Sequence, residues 1–487
     1  MNRALYILLV VLSFNLNAQP PSKWYNKFGG SGIDIGYGVK ETYERNYIVA
    51  GSTSSFGYGA TDAYLILVDS MGQKVWDKTY GGIMADVAKA VVVNPVDSGF
   101  IFTGYTGSIG NGGYDVYLAR TNKNGTLIWQ KSFGGLDWDF GNDIVMGPDG
   151  NVVICGYTYN SKYGQKDGYI LKVNSSSGAL IWEKKYGGAK DDEFKALKIT
   201  TLNTIILTGE TKSYNDPIGD IYFLKTTING DSIVSKTHGR INKEDKGNSI
   251  IEDFSFTGYI IGGGTESYSS WGKDAFIFSV SSVGDSVWLQ RYGNNNVDQE
   301  AIDVILNVSN TGTYVISYSD IDFVVFKRDP KHLILDANGI YYSGNAFGGD
   351  EDEELYDLQN TSDEGYVGVG YTKSFGSINE DLYIIKYDSA AYFGGDLIGI
   401  SESNTIVKNK IKIFPTLITS DNPILNIQSD LEFSISLIDI YGKELIQTAK
   451  KDSSTNSIDL KNLSAGIYFL KVDQGGKLAC FKLIKAN

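Results

Sequence analysis

A short motif returns along this 487-residue chain at an almost constant interval. It is an aromatic residue followed by two glycines, as in DKTYGGIMAD (77–86), QKSFGGLDWD (130–139) and EKKYGGAKDD (183–192). With its degenerate copies the aromatic position recurs at steps of 52, 53, 53, 52, 54 and 55 residues, at Phe28, Tyr80, Phe133, Tyr186, His238, Tyr292 and Phe347. A fixed period of this length indicates one structural unit repeated many times.

Each period contains the signals of about four short β-strands. A tryptophan strand precedes the glycine doublet, and an acidic residue follows the aromatic by six positions. An apolar run that ends in small residues comes next, as in YIVAGST (47–53), and then an aspartate opens a further strand, as in DAYLILVD (62–69). Four strands in a period of this length are typical of a β-propeller blade.

The two ends of the array predict seven blades. Seven strands open with an aspartate, at Asp62, Asp115, Asp167, Asp220, Asp274, Asp322 and Asp381. The array begins with a lone tryptophan strand (24–28), which is the piece that the last blade lacks. Pairing the two closes the ring and removes its exposed edges. We therefore predict an all-β chain, with a seven-bladed propeller over residues 19–392 closed by its N-terminal strand.

The glycine doublet itself is predicted to be part of the scaffold. After the tryptophan strand the chain must cross from the outer edge of one blade to the inner strand of the next, and glycine permits the close backbone approach that this needs. We expect the aromatic to wedge between blades, and the acid to accept hydrogen bonds from turn N–H groups.

The N-terminus reads as an export signal. Arg3 supplies a positive charge, residues 4–16 are apolar, and Ala18 precedes the expected cleavage site at Gln19. Thirteen residues are too few to span a bilayer, which needs about 20. We therefore predict a signal peptide over residues 1–18 and no membrane-spanning segment.

The repeat resembles known propeller repeats. Its glycine-ended strand, its Asp-x-Tyr strand and its tryptophan resemble kelch repeats, and WxKxYGG is closer to the repeat of secreted Bacteroidota propeller proteins. The resemblance covers about residues 24–390 and implies the fold more strongly than any activity, because propellers serve many functions.

The sequence repeat ends after Tyr392. Residues 393–410 read as a linker, and residues 411–487 alternate strands with Gly-marked hairpins, which predicts a small β-sandwich. The segments FPT (414–416), IDIYGKEL (438–445) and LSAGIYFLKV (463–472) resemble the type A C-terminal sorting domain of the type IX secretion system. That resemblance implies the secretion machinery as a partner and export through the periplasm to the cell surface or medium.

Composition removes several classes of function. The net charge is −14, which argues against nucleic acid or an anionic membrane surface as a partner. With two histidines and two distant cysteines the chain has little material for nucleophilic catalysis or a His/Cys metal site. We expect His238 to be structural, because it occupies a repeat aromatic position, and His332 to be solvated.

Strand direction places the acids and several long loops on one face of the disc. These loops connect the second and third strands of each blade, and in blade six we expect the loop to be missing, which would leave a notch. The candidate binding residues on this face are the acids and the loop aromatics: Asp34, Asp86, Asp139, Asp192, Glu244, Asp298, Glu353, Phe56, Tyr58, Tyr163, Tyr268, Trp271 and Phe375.

Two classes of function remain open. The favoured one is a non-enzymatic propeller that binds protein or glycan through this face, with no cofactor or, as a weaker alternative, with Ca²⁺ on the acids. The other is a propeller hydrolase or lyase that uses paired carboxylates, for which two acids must share a cleft and one must have a raised pKa.

Overall fold

The computed structural model describes residues 23–388, except 160–164, 216, 268–271, 294–297, 308–311, 323–326 and 347, together with residues 411–414, 417–418, 424–429, 433–439, 444–451, 455–464, 466–474 and 477–485. The chain divides into two compact units, Met1–Phe393 and Gly394–Asn487.

The first unit begins with strand β1 (Trp24–Phe28) and continues as seven blades. The first three blades are β2 (Asp34–Glu41), β3 (Tyr47–Thr53), β4 (Asp62–Val68) and β5 (Lys74–Tyr80); β6 (Asp86–Val93), β7 (Phe100–Thr106), β8 (Asp115–Thr121) and β9 (Leu127–Phe133); and β10 (Asp139–Met146), β11 (Val152–Thr158), β12 (Asp167–Val173) and β13 (Leu180–Tyr186).

Blades four to seven follow the same plan. They are β14 (Asp192–Ile199), β15 (Thr204–Thr211), β16 (Asp220–Thr227) and β17 (Ser232–His238); β18 (Asp245–Glu252), β19 (Gly258–Thr265), β20 (Asp274–Ser281) and β21 (Ser286–Tyr292); β22 (Ala301–Leu306), β23 (Tyr314–Asp322), β24 (Lys327–Leu335) and β25 (Tyr341–Ala346); and β26 (Glu353–Asn360), β27 (Tyr366–Thr372) and β28 (Asp381–Tyr387).

The ring closes through the N-terminal strand, as predicted. The last sheet has the order β1-β28-β27-β26, with Trp24 opposite Lys386 and Phe28 opposite Leu382. The first strands of consecutive blades contact each other around the ring, β26 and β2 included, so they line the central channel. The prediction of an all-β, seven-bladed propeller is confirmed.

The hydrophobic core lies between blades. One buried cluster contains Ile48 and Leu65 of blade one with Val91 and Phe102 of blade two. Another joins Val367 and Leu382 of blade seven to residues of blade one. Each blade therefore buries its faces against its neighbours, and apolar burial of this kind is the main source of stability.

The aromatic motif residues join neighbouring blades. Nε1 of Trp24 donates to the Ser70 carbonyl of blade one at 3.0 Å. The His238 ring lies 3.0 Å, Nε2 to oxygen, from the Gly284 carbonyl of the next blade, in the place of a motif tyrosine. The predicted structural role of His238 is confirmed, and so is the predicted wedging between blades for His238 and Tyr80, whereas Phe347 lies outside the described residues.

The first glycine of the doublet is required because two carboxylates approach its Cα closely. A Cβ on Gly134 would lie 2.3 Å from an oxygen of Asp115 and 2.3 Å from an oxygen of Asp139. The two carboxylates belong to the third strand of one blade and the first strand of the next. Any side chain at residue 134 would push this junction apart.

Blade six differs from the prediction. Strands β23 and β24 each have nine residues and pair from Tyr314–Leu335 to Asp322–Lys327. Asp329, and not Asp322, takes the repeat position, since a Cβ on Gly348 would lie 2.0 Å from its Oδ1. The strands of this hairpin are extended, because pairing continues for two residue pairs beyond Asp329, to Asp322 and Lys327.

His332 also differs from the prediction. It lies in β24 and is fully buried, with its ring edge-on to Tyr387 at 4.8 Å between centroids. Burial lowers the pKa of His332 to about 3. The residue belongs to the core of blade six because β24 starts later in the sequence than expected.

The second unit contains two sheets with a shared core. Their strands are β29 (Ile411–Phe414), β30 (Leu417–Ile418), β31 (Ile424–Ser429), β32 (Phe433–Asp439), β33 (Glu444–Lys451), β34 (Thr455–Asp459), β35 (Gly466–Gln474) and β36 (Lys477–Lys485). The sheet orders are β29-β31-β34 and β30-β36-β35-β32-β33. Leu425 of one sheet packs in one buried cluster with Leu437 and Leu470 of the other.

Candidate binding surface of the propeller

The predicted binding residues lie at one end of each blade. Asp34 is opposite Thr53, and Thr53 is opposite Asp62, so the first strand, the loop between the second and third strands, and the third strand share an end. We call this end the loop face. It consists of these loops and of the crossings, which are the segments that lead from each glycine doublet to the next blade.

Five of the predicted acids lie beneath this face. They are at most 1% exposed: Asp34, Asp86, Asp139, Asp192 and Glu353. Asp86 accepts hydrogen bonds from Gly82 N at 2.8 Å, from Ser108 Oγ at 2.6 Å and from Thr106 Oγ1. These carboxylates hold the entry of each first strand, as predicted for a structural role, and they offer no acidic ring to solvent.

The other two predicted acids are out of register. In blades five and six the buried position is one residue later, on Asp245 and Gln299, because these crossings contain one extra residue. Glu244 accepts a hydrogen bond from Lys273 Nζ at 2.6 Å, and Asp298 accepts the Lys273 backbone N–H at 2.8 Å. The six-residue spacing is therefore wrong for these blades, and Glu244 and Asp298 lie on the loop face.

The predicted loop aromatics differ in exposure. Tyr58 is 94% exposed, whereas Phe56 packs on Tyr64 at 5.9 Å and Phe375 packs on Tyr25 at 4.7 Å, both between ring centroids. Packing within and between loops therefore accounts for part of the predicted set. Tyr163, Tyr268 and Trp271 lie outside the described residues.

The crossings carry apolar side chains that the sequence analysis missed. Ile83 is 80% exposed and Met84 is 54% exposed in the crossing after blade one. Leu136 is 79% exposed and Trp138 is 52% exposed in the crossing after blade two. The signal was present in the motif copies GGIMAD and GGLDWD, where apolar residues stand between the glycines and the buried acid.

These crossings form one continuous surface with the loops. Met84 N donates to Ser108 Oγ of the blade-two loop at 3.1 Å. Tyr159 N of blade three donates to the Trp138 carbonyl at 2.9 Å, and their rings are 6.3 Å apart. We call the patch formed by Ile83, Met84, Leu136, Trp138 and Tyr159 the apolar arc.

Aromatic packing supports the apolar arc from below. The Trp138 ring lies 5.7 Å from the Tyr114 ring and 6.4 Å from Phe140, and Phe140 stacks on Tyr157 at 4.8 Å. Such pairs prefer defined geometries and add stability beyond area burial. Trp138 is thus held in place while half of its surface faces solvent.

Other crossings of the loop face carry charged residues. The crossing after blade three reads GGAKD and the crossing after blade six reads GGDED. Around the channel mouth Lys166 pairs with Glu193 at 2.8 Å and Lys246 pairs with Glu300 at 2.8 Å. The crossings after blades three and six are therefore charged, whereas those after blades one and two are apolar; in the crossing after blade four, Ile241 is 76% exposed among charged neighbours.

A cavity of about 400 Å³ lies at the channel mouth beside blade six. Its lining includes Asp298, Glu300, Glu354, Arg328 and Tyr356. Burial alone would raise the pKa of Glu300, but Lys246 and Lys273 outweigh it and hold the pKa below its usual range. Glu300 is thus ionised and ion-paired, which suits a structural or binding carboxylate better than a general acid.

The remaining candidate residues are the possible metal ligands, the two cysteines and the terminal segments. Within the described ranges, no three His, Cys, Asp or Glu side chains are grouped as a metal site requires. Cys155 is buried in β11, and burial raises the pKa of its thiol. The side chain of Cys480, the predicted signal peptide with Ala18 and Gln19, and the linker 393–410 lie outside the described part of the chain.

Comparison with known proteins identifies the C-terminal segment and gives weaker likenesses for the rest. The secretion system C-terminal sorting domain matches residues 420–486. The regulatory protein FlaEY of Caulobacter vibrioides is 26% identical over 197 residues, which are 36% of this chain and 20% of that protein. The chain thus spans about a fifth of the length of that curated relative.

Two solved structures illustrate the structural likeness. PorZ, a surface component of the type IX secretion system of Porphyromonas gingivalis, has a TM-score of 0.44 and 13% identity, over 93% of this chain and 59% of that one. The propeller domain of the Trilobed protease of Pyrococcus furiosus has a TM-score of 0.41 and 9% identity, over 76% of this chain and all of that one.

In the residues with described structure, we find no helix of the length and apolarity that a membrane crossing demands. The sorting domain indicates export to the cell surface or into the medium, and it implies contact with the secretion machinery. The chain is therefore a seven-bladed β-propeller protein whose residues 420–486 match the secretion system C-terminal sorting domain, which indicates export.

Proposed function

We propose that this protein is a non-enzymatic binding module, and that the apolar arc docks a partner protein at the cell surface or in the medium. The observation that carries the proposal is the exposure of Ile83, Met84, Leu136 and Trp138 in two successive crossings that both contact the blade-two loop. Contiguous exposed apolar patches on soluble proteins mark interaction sites, whereas single exposed residues are ordinary.

The chemistry of the arc favours protein over glycan. Sugars stack on aromatic rings and need many hydrogen-bond donors and acceptors, but Ile83, Met84 and Leu136 provide neither. Aliphatic side chains around a rigid tryptophan are the composition of a protein-binding centre, in which Trp and Met are enriched. Charged residues of the next two crossings, Lys190 and Glu244, would form the polar rim of such an interface.

The hydrolase alternative has weaker support. The repeat acids such as Asp86 and Asp139 are buried and hydrogen-bonded, and Glu300 at the mouth is ion-paired. Burial raises the pKa of Asp115 to about 6, but Asp115 is only 2% exposed and lies under Gly134, where a substrate has no access.

Site-specific photocrosslinking in the exporting cell tests the proposal. A photoreactive amino acid replaces Leu136 on the apolar arc or, as the matched control, Val96, which is 86% exposed on the opposite face. We expect one discrete protein adduct from position 136, none from position 96, and loss of the adduct when Ile83→Asp is added.

Two results would overturn the proposal. One is equal crosslinking from positions 136 and 96. The other is binding of the purified full chain to a glycan array that is abolished by Trp138→Ala, which would assign the arc to carbohydrate instead. Turnover of a glycan that is lost with a single carboxylate substitution would favour the hydrolase.

A further inference from the structure

The inner strands share an irregularity that shapes the central channel. The register shifts at the same place in every blade, between Gly36 and Gly38 in the first and between Ala88 and Ala90 in the second. A β-bulge of this kind re-aims side chains. The bulged position presents a ring of seven residues to one cavity of about 100 Å³: Tyr37, Lys89, Asn142, Lys195, Asn248, Ile302 and Tyr356.

The channel is rich in cations although the whole chain is acidic. Four lysines line this cavity, Lys40, Lys89, Lys195 and Lys198, against three aspartates, Asp143, Asp303 and Asp357. The chain as a whole carries a net charge of −14. Cationic side chains are therefore concentrated here against the overall charge of the protein.

The three aspartates are engaged in joining blades. Asp143 Oδ2 accepts the Leu197 N–H of the next blade at 3.1 Å. Asp303 Oδ2 accepts the Leu358 N–H at 3.2 Å, and Asp357 Oδ2 accepts the Val39 N–H at 2.8 Å. These carboxylates satisfy buried backbone donors, so their position is explained by the scaffold.

Lys89 and Lys195 lie near the mouth of the channel, and neither has a carboxylate to itself. Among the described residues, no carboxylate oxygen lies within 4.0 Å of Lys89 Nζ, which instead lies 4.0 Å from the centroid of the Tyr37 ring. Lys195 reaches Glu193 at 3.5 Å, but Glu193 is also paired with Lys166 at 2.8 Å. Burial, reinforced by the charge of Lys195, lowers the pKa of Lys89 to about 8.

We propose that the channel binds a small oxyanion, the carboxylate or phosphate group of a small molecule, between Lys89 and Lys195. The anion relieves the repulsion between two partly buried ammonium groups and accepts charge-assisted hydrogen bonds from both. The 100 Å³ cavity holds the oxyanion itself. The 400 Å³ mouth cavity shares Asn248, Ile302 and Tyr356 with it and has room for the remainder of a larger ligand.

Calorimetry and thermal unfolding of the full chain test this site. Phosphate, acetate and glucuronate are each added at pH 7 and constant ionic strength, with chloride and neutral glucose as blanks. We expect saturable binding of at least one oxyanion and a rise in Tm. The affinity should fall at least tenfold in Lys89→Met and in Lys195→Met, and should be unchanged in Lys123→Met, which removes an exposed lysine of an outer hairpin.

The pH dependence provides an independent readout. Because Lys89 loses its proton as the pH rises through about 8, oxyanion affinity should decline between pH 7 and 9. If Lys89→Met does not fold, Lys195→Met carries the test. The absence of saturable binding by all three oxyanions at millimolar concentration would overturn the proposal, and so would binding that survives the Lys195→Met change with unaltered affinity. Neither result bears on the apolar arc.

Discussion

The Tyr80 phenol of blade one donates a hydrogen bond of 2.6 Å to the Gly125 carbonyl of blade two. Tyr186 and Tyr292 make the same bond to Gly230 and Gly339 of their next blades. The aromatic of the glycine doublet therefore satisfies a buried carbonyl across the blade boundary, while its ring fills the space between sheets.

Replacing Tyr80 with Phe should weaken this boundary. The ring remains, but the Gly125 carbonyl loses its donor in a buried position, which costs about 1–2 kcal/mol. Thermal or denaturant unfolding of the full chain measures the change. Tyr43→Phe is the control, since Tyr43 is 65% exposed, and an equal effect of both substitutions would contradict the cross-blade role.

The buried acids should matter for folding and not for binding. Asp86→Asn places an amide N–H against Gly82 N or the hydroxyls of Thr106 and Ser108, and we expect a loss of about 2–4 kcal/mol in the free energy of unfolding. Asp350→Asn on the exposed crossing serves as the control and should cost under about 0.5 kcal/mol.

Binding of the partner at the apolar arc provides a second readout for Asp86→Asn and its control Asp350→Asn. In the crosslinking assay at position 136, folded Asp86→Asn protein should give the same adduct as the parent chain. An Asp86→Asn protein of unchanged stability that has lost the adduct would return the acids to the binding surface.

His332 should make the propeller sensitive to acid. Its pKa is about 3 in the folded protein and about 6.5 when unfolded, so the unfolded state binds more protons between these values. This group's contribution is intact above pH 6.5 and is lost as the pH falls towards 3. The loss amounts to about 3 kcal/mol at pH 4.

The change that tests this is His332→Leu. Unfolding midpoints measured from pH 7 to pH 4 should fall less steeply in the variant than in the parent chain, whatever their absolute values at pH 7. Parallel pH profiles would show that protonation of His332 does not drive the acid sensitivity.

Removal of residues 411–487 should stop export at the periplasm, because the sorting domain over residues 420–486 directs the second step. Cell fractionation and surface labelling measure the distribution, with the full chain in the same strain as control. Normal surface display of the shortened protein would refute the sorting role.

Much of the candidate surface followed from local pattern. The doublet spacing located Tyr80 and Asp86, and alternation of strand direction placed the loops at one end of the ring. The pattern failed where the number of residues in a crossing changed, as at Asp245 and Gln299, because counting positions does not detect an inserted residue. It failed in blade six because Asp322 and Asp329 both suit the motif and strand pairing alone decides between them.

The amino-acid sequence by itself determined the number of blades, the closing strand at Trp24–Phe28 and the sorting domain, because these depend on periodicity and local signals that repeat or stand alone. Only the tertiary structure decided which acids are buried, that His332 is a core residue, and that Ile83, Leu136 and Trp138 share one exposed surface. Burial and adjacency of these residues arise from contacts across blade boundaries about 50 residues apart in the sequence, and no local pattern encodes such contacts.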